Sequence, residues 1–305
     1  MLPTLRNILF PGKWEIVVTA VNPLLKGDVS LQSKDIVLKP PFNTYWADPF
    51  IVEHEDRMIV FFEEYLYNSS RGRINLVELF KDGTRSSPRV IIEEPFHLSF
   101  PNVFNYNGKY YLVPESSEAN CIRLYESIGF PYEWKYCGNL IDGIDAVDTV
   151  FVEENGTWFM LTSEPGGGGG DNRGTVSIYY SDSPVSLGGW HAHPLNPVVN
   201  NYKNGRNGGA IIHYANQRIR PAQNSPRFYG ESVALMAIDI INTNGYKESP
   251  YMTISPSDHQ ITNVHTINNA NAFWCYDRVR ISFKSIISVT YYRLLKLIRS
   301  QLSRN

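Results

Sequence analysis

Four stretches of this chain repeat one plan: a strand, a tight polar turn, and a second strand that ends in polar residues. They cover residues 46–65, 100–116, 147–164 and 208–224. Asp48 and Glu63, Phe100 and Glu115, Asp148 and Ser163, and Gly208 and Gln223 are each 15 residues apart. Asn107-Gly108 and Asn155-Gly156 fall at the same place in the second and third copies, and Asn-Gly is a strong hairpin signal because a type I′ turn needs positive φ at both central residues. A degenerate fifth copy begins at Asn263-Val-His265-Thr266. Further strand-like runs at 73–80, 121–126 and 175–180 bring each unit to about four strands over roughly fifty residues, the composition of a propeller blade. The pattern predicts an all-β, five-bladed β-propeller over residues 1–277 and a short basic amphipathic C-terminal helix within residues 278–305. Closing such a ring calls for a strand from the opposite terminus, and residues 14–20 are the candidate.

Composition narrows the function. Hydrophobic residues make up 43% of 305 and charged residues 19%, enough for a sizeable core; the 19 Tyr, 15 Phe and 6 Trp suit both strands and sugar-stacking surfaces. A net charge of −2 gives no electrostatic footprint for nucleic acid. Cys121, Cys137 and Cys275 are odd in number and widely spaced, which reads as buried free thiols rather than a disulfide framework or zinc site. There is no apolar run of signal-peptide or bilayer length, so the expectation is a cytoplasmic protein, with membrane association left to the tail. No phosphate-cradling loop, nucleophile elbow or metal-ligand cluster stands out, and neither a metal nor a cofactor is expected. Five glycines at 166–170 read as a mobile loop near the channel mouth or as a solvated spacer.

In a propeller the innermost strands line the channel, so the strand starts converge: Asp48, the 100–102 corner, Asp148, 206–209 and His265. Asp48 and Asp148 are candidate catalytic carboxylates, one acting as base and the other tuning charge, though each is also an ordinary strand-start residue and Asp145 is an alternative to Asp148. Glu115, preceded by Pro114 and followed by two serines, is the third catalytic candidate. The second strands end in another polar series that includes Glu64, Glu164 and Gln223. With Trp46, Ser99, Asn102, Arg206 and His265 these are the expected substrate-binding residues. Glu63 reads as a solvated strand end and His97 as the weaker of two histidine candidates. Arg220 offers a five-donor fork for a phosphate or carboxylate, or a bridge between blades.

After Asp277 there is no acidic residue, yet Arg278, Arg280, Lys284, Arg293, Lys296, Arg299 and Arg304 follow. Ile287, Tyr291, Leu294, Leu295, Ile298 and Leu302 keep helical spacing, predicting a helix over 285–303 that meets an anionic membrane surface, meets a partner groove or packs on the propeller flank.

The motifs Trp46-Ala-Asp-Pro-Phe, His97-Leu-Ser-Phe-Pro, Val113-Pro-Glu-Ser-Ser, Trp190-His-Ala-His-Pro, Arg220-Pro-Ala-Gln and His265-Thr, in this order, resemble the N-terminal propeller domain of glucosamine inositolphosphorylceramide transferases and their bacterial stand-alone relatives. More distantly, the chain is similar to the five-bladed arabinanase, β-xylosidase and levansucrase superfamily. That resemblance implies a glycan-handling channel in which Asp48 matches a first-blade base and Asp148 a third-blade modulator. The acid has no match by motif, leaving Glu115, Glu164 or Glu231. The expected function is glycosyl transfer in bacterial cell-envelope polysaccharide or glycolipid synthesis, from a sugar or glycan substrate or a nucleotide sugar whose phosphate Arg220 would hold. The alternatives are a glycoside hydrolase of the arabinanase or β-xylosidase type and a non-catalytic glycan-binding module.

Overall fold

Hairpins with one apolar face per side bury both faces only when sheets stack, and this chain stacks five. The structure, a computed structural model, describes residues 12–165, 174–201, 203–257, 263–280 and 283–302; the glycine run at 166–170 lies outside them. From the channel outward, the first blade pairs Thr44–His54, Arg57–Leu66, Arg71–Phe80 and Arg89–Ile92. The second pairs Ser99–Tyr106, Lys109–Glu115, Cys121–Gly129 and Glu133–Asp142. The third pairs Val147–Glu154, Thr157–Glu164 and Thr175–Ser181, with His191–Ala192 and Val199–Asn200 sharing its outer edge. The fourth runs Ile212–Tyr214, Gln217–Asn224, Ser232–Asn242 and Gly245–Pro256, with Asp28–Val29 added in parallel.

The fifth blade closes the ring. Its innermost strand Ile267–Ala270 pairs with Phe273–Arg280, which pairs in turn with the N-terminal strand Lys13–Thr19, itself followed by Ile36–Leu38. Trp14 lies opposite Val279 and Val17 opposite Tyr276, so the two ends of the chain are fastened by a strand ladder close to the expected one. The division expected at residue 277 cuts through this blade. Arg278 faces Glu15 in the register, and its guanidinium is buried against that carboxylate at 2.6 and 3.0 Å. Cys121 and Cys275 are buried, while Cys137 is half-buried.

The hairpin turns have the conformation their residues demand: φ is 52° and 80° at Asn107-Gly108, and 50° and 80° at Asn155-Gly156. Between the blades the core is apolar and aromatic. Phe50 meets Phe100 edge-on at 4.9 Å, and Phe61, Leu112, Val150 and Phe159 continue the same layer, each worth about 1.5–3 kcal/mol when fully buried.

The 15-residue register has a backbone cause. In each of the first three blades the ladder slips between the first two strands, at Ala47/Phe50, Ser99/Asn102 and Val147/Val150. The bulged residues Asp48, Phe100 and Asp148 have φ of 52°, 45° and 53°, a region that costs a non-glycine residue roughly 1–2 kcal/mol. A bulge frees carbonyls, and asparagines of neighbouring blades take them. Asn268 donates to Pro49 O at 2.7 Å, Asn102 to Thr149 O at 3.0 Å, and Asn207 to Asp148 O at 2.8 Å. The inner ends of the blades are thus tied to one another around the channel.

The C-terminal helix, Phe283–Leu302, rests on the first blade's inner end. Ser288 and Val289 are buried there, the Ser288 hydroxyl donates to Phe42 O, and Tyr292 stacks on Tyr67 at 5.1 Å. Ile287, Tyr291, Leu294 and Ile298 remain exposed along the helix. Among the described residues no helix is long and apolar enough to cross a membrane.

Candidate active site

The first blade's bulge places Asp48 in the lining of a cavity of about 170 Å³ in the channel, built from four blades. The first blade supplies Tyr45, Asp48 and Glu63; the second Ser99 and Glu115, with His97 just before it; the fourth Arg206 and Tyr229; the fifth Trp14 and His265.

Asp48 is the most elaborately held of these. Its Oδ1 lies 3.0 Å from His265 Nε2 and accepts from the Thr266 hydroxyl at 2.7 Å. Asp277, fully buried, organises the rest. Its Oδ1 accepts from the backbone N–H groups of His265 and Thr266, its Oδ2 accepts the Asp48 N–H, and His265 Nδ1 lies 3.0 Å from the same Oδ2. Burial works against a charged imidazole, but the two carboxylates outweigh it and raise His265 to about 10. Burial likewise opposes ionisation of Asp48, yet His265 and the Thr266 hydroxyl hold its carboxyl below the usual range. At neutral pH the cluster therefore holds an imidazolium between Asp48 and Asp277. Asp48, His265 and Asp277 also bring three ligand-type atoms within 4.8 Å of one another.

Glu63 is held in the opposite state. Its side chain is only 5% exposed, Oε1 has no hydrogen-bond partner among the described residues, and His97 Nε2 stands 3.6 Å away. Burial, reinforced by the charges of Asp48 and Glu115, pushes its carboxyl well above the usual range. Glu115 accepts from the Ser99 hydroxyl at 2.9 Å and lies 3.9 Å from Arg206.

Asp148 sits behind Arg206 and does not line the cavity. Its Oδ2 takes Arg206 Nε at 2.5 Å and Gln223 Nε2 at 3.1 Å, while Oδ1 is buried without a partner among the described residues. Burial outweighs the arginine and raises it to about 7.

Of the residues singled out in the sequence, the cavity gathers Asp48, Ser99, Glu115, Arg206 and His265. The others are elsewhere, for identifiable reasons. Trp46 is packed on Phe62, with Nε1 donating to Glu64 at 3.2 Å. Glu64 points to the opposite face of its strand from Glu63 and is occupied by Trp46, Arg73 and Asn75. Asn102 is spent on the bulge carbonyl of Thr149. Glu164 accepts from the Tyr179 hydroxyl, and Glu231 pairs with Arg227; neither lines the cavity. Gln223 steadies Asp148 rather than facing a ligand. Arg220 is fully buried: Glu248 takes Nε and Nη2 at 2.9 and 2.7 Å, Asn207 takes Nη1, and Asn204 O takes Nη2. That arginine fastens the fourth blade and is not available to a donor phosphate.

Sequence reasoning read Glu63 as a solvated strand end, ranked His97 below His265, and passed over Tyr45, Tyr229, Trp14 and Asp277 as site residues. The signal for Glu63 was present, since it shares the register of Glu115, Ser163 and Gln223. For Asp277 no local signal existed, because its role is set by the closure of the ring.

Comparison with known proteins gives these residues a context. The family profile described as glucosamine inositolphosphorylceramide transferase 1, N-terminal, matches residues 22–275. Glucosamine inositolphosphorylceramide transferase 1 of Arabidopsis thaliana is 32% identical over 209 residues, covering 68% of this chain and 27% of that protein. Its counterpart in Oryza sativa subsp. japonica is 32% identical over 211 residues, covering 68% and 28%. The chain thus spans about a quarter of the length of the curated relatives it matches. Among solved structures, a family 117 glycoside hydrolase from Zobellia galactanivorans superposes with a TM-score of 0.55 at 12% identity, over 90% of this chain and 92% of that one. A GH43 β-xylosidase/α-arabinofuranosidase from a compost microbial metagenome gives 0.56 at 14%, over 80% and 93%. At such identities the likeness is one of fold.

Proposed function

The chain belongs to the family of the glucosamine inositolphosphorylceramide transferase 1 N-terminal domain, and from that premise we propose that it is a carbohydrate-active enzyme that transfers a glycosyl group in the channel of its propeller. The observation that carries this reading is two buried carboxyl groups with unlike surroundings in one cavity: Asp48 beside the His265–Asp277 cluster, which holds it below the usual range, and Glu63 with Oε1 lacking a hydrogen-bond partner among the described residues, which burial pushes well above it. Two carboxyl groups pushed apart in this way are what acid–base chemistry at a glycosidic carbon requires. Asp48 takes the proton of the incoming hydroxyl, while Tyr45, Tyr229 and Trp14 offer aromatic surface to a sugar ring. The biological setting we propose is synthesis of a bacterial cell-envelope polysaccharide or glycolipid, the relatives being named as transferases onto a ceramide-based lipid. A nucleotide sugar and a glycan are the two donor classes to be tried. Asp48→Asn is expected to lower product formation by about 10²–10⁴-fold while the protein stays folded. Unchanged turnover in that variant would remove Asp48 from the chemistry.

Hydrolysis is the second reading, favoured by the predominance of carboxyl groups over cations in the lining, and it differs only in water replacing the acceptor hydroxyl. Chromatography of products made with and without an added acceptor separates the two.

We also assign the C-terminal helix to an anionic membrane surface. Its buried side is already taken by Phe42 and Tyr67, its exposed stripe is Ile287, Tyr291, Leu294 and Ile298, and the helical sequence carries Lys284, Arg293, Lys296 and Arg299 without an acidic residue. Replacing Ile287, Leu294 and Ile298 with serine is expected to weaken co-sedimentation with phosphatidylglycerol vesicles by at least about tenfold and leave the melting temperature unchanged. Equal binding to neutral phosphatidylcholine vesicles would argue against an electrostatic surface.

A further inference from the structure

We propose that Glu63 is the proton donor of this site, and that the glycosyl donor is consequently an O-glycoside, whose leaving oxygen needs a proton, rather than a sugar nucleotide, whose phosphate does not. The inference rests on the transfer reading above and deepens it by naming the donor class.

The geometry supports it at several points. Glu63 lines the same cavity as Asp48 from the neighbouring strand of the first blade, where the inner strand's bulge turns Asp48 toward it. Room for the carboxyl is made by Gly72: a Cβ there would fall 2.6 Å from Glu63 Oε1 and 2.8 Å from His97 Cε1. The Gly72 N–H donates to His97 Nδ1 at 2.9 Å, which makes Nδ1 the acceptor and leaves the imidazole proton on Nε2, the nitrogen 3.6 Å from Glu63 Oε1. The Glu118 carboxylate takes the His97 backbone N–H and fixes the loop. Burial lowers His97 below the ordinary imidazole range, so the ring is neutral and its Nε2–H faces the carboxyl without competing for its proton. After Glu63 gives up that proton, the same N–H is placed to donate to the carboxylate that forms.

The cations tell the same story. Arg220 is sealed within the fourth blade, and Arg206, which does line the cavity, is engaged by Asp148 and approached by Glu115. A diphosphate entering here would meet the carboxyl groups of Asp48, Glu63 and Glu115, while the cations of the lining, Arg206 and the His265 imidazolium, are already engaged by Asp148 and by Asp48 and Asp277. In the step as proposed, the Glu63 O–H bond breaks and its proton goes to the leaving glycosidic oxygen as the C–O bond opens. The acceptor oxygen bonds to the anomeric carbon and loses its proton to Asp48. The leaving group departs as an alcohol, and the two carboxyl groups return to their starting states by exchange with water.

The test compares leaving groups. Wild type and Glu63→Gln are assayed with oligosaccharide donors, with 2,4-dinitrophenyl glycosides that leave without protonation, and with uridine diphosphate sugars. The expected result is turnover of oligosaccharides by wild type, a loss of about 10²–10⁴-fold in Glu63→Gln, and near-normal rates for that variant on the dinitrophenyl donors, which also shows that it is folded. In wild type the oligosaccharide rate falls at alkaline pH as Glu63 ionises among Asp48, Glu115, His265 and Asp277, with His97 alongside. His97→Asn, by removing a donor to the carboxylate, moves that fall to higher pH, which a purely structural histidine would not do. Turnover of uridine diphosphate sugars with no dependence on Glu63 overturns the inference and leaves the transfer reading standing. Equal losses on both glycoside classes overturn Glu63 as the acid, and absence of turnover with every donor overturns both.

Discussion

Asp48 and Asp148 occupy the same backbone position in two blades and end in opposite states. Both are bulged residues at the start of an inner strand, with φ of 52° and 53°, and both are buried. Asp48 is held below the usual carboxylate range, whereas Asp148 rises to about 7. Burial pushes each one up, so the neighbours decide. Asp48 has an imidazolium, a hydroxyl and a place in the cavity lining. Asp148 has one arginine and one amide on a single oxygen, with the second oxygen left bare, and it is screened from the cavity by that arginine. The repeat therefore delivers the same carboxyl to the same place in the first and third blades, and the side chains that do not repeat set its charge.

The sharpest way to break the contrast is to remove the imidazolium. His265→Gln would leave Asp48 and Asp277 facing each other without a countercharge, and losing one partner of a buried ion pair costs about 3–5 kcal/mol. Urea unfolding at pH 7 is the measurement. The sign with pH follows from the raised folded-state value. The His265 contribution is fully present below its ordinary value near 6.5 and is lost as pH rises through about 10, so the gap between wild type and variant should narrow between those limits. A gap that stays constant from pH 7 to 10 would mean that His265 is neutral in the folded protein.

Much of this architecture was legible in the chain because the repeat, the Asn-Gly turns and the need for a closing strand are local or periodic features. Side-chain direction was legible only in part. On the strand Arg57–Leu66, Glu63 and Glu64 are adjacent carboxylates that point to opposite faces, and only the register shared with Glu115 tells them apart. Charge pairing between strands distant in sequence was not legible. Arg220 reads in sequence as an open fork or as a bridge between blades, and only the folding of Glu248 onto it from the strand Gly245–Pro256 shows that the fork is filled. The same holds for Arg278, which belongs to a charged tail by composition and to the fifth blade by its pairing with Glu15. Asn102 reads as a ligand-facing amide, yet the bulge in the next blade claims it, and that bulge is a feature of backbone geometry that no residue type announces.

The smaller test bears on the other aspartate. If Asp148 is raised to about 7 by burial, then ionising it costs the folded state more than the unfolded chain, and wild-type stability should fall as pH rises from its ordinary value near 4 through about 7. Asp148→Asn keeps the shape and the oxygen facing Arg206 while removing the titration, so its stability should stay level across that window and gain on wild type above pH 7, as read by urea midpoints at pH 5 and pH 8. The effect is the reverse in sign of the Asp48 contribution, which is lost as pH falls rather than as it rises. Because Asp148 lies behind Arg206 and outside the cavity lining, the variant should also keep most of its turnover, with a pH profile that no longer bends near 7. An Asn variant that loses stability equally at both pH values would place a permanent Asp148–Arg206 ion pair at this position, and the two aspartates would then be alike in charge as well as in backbone.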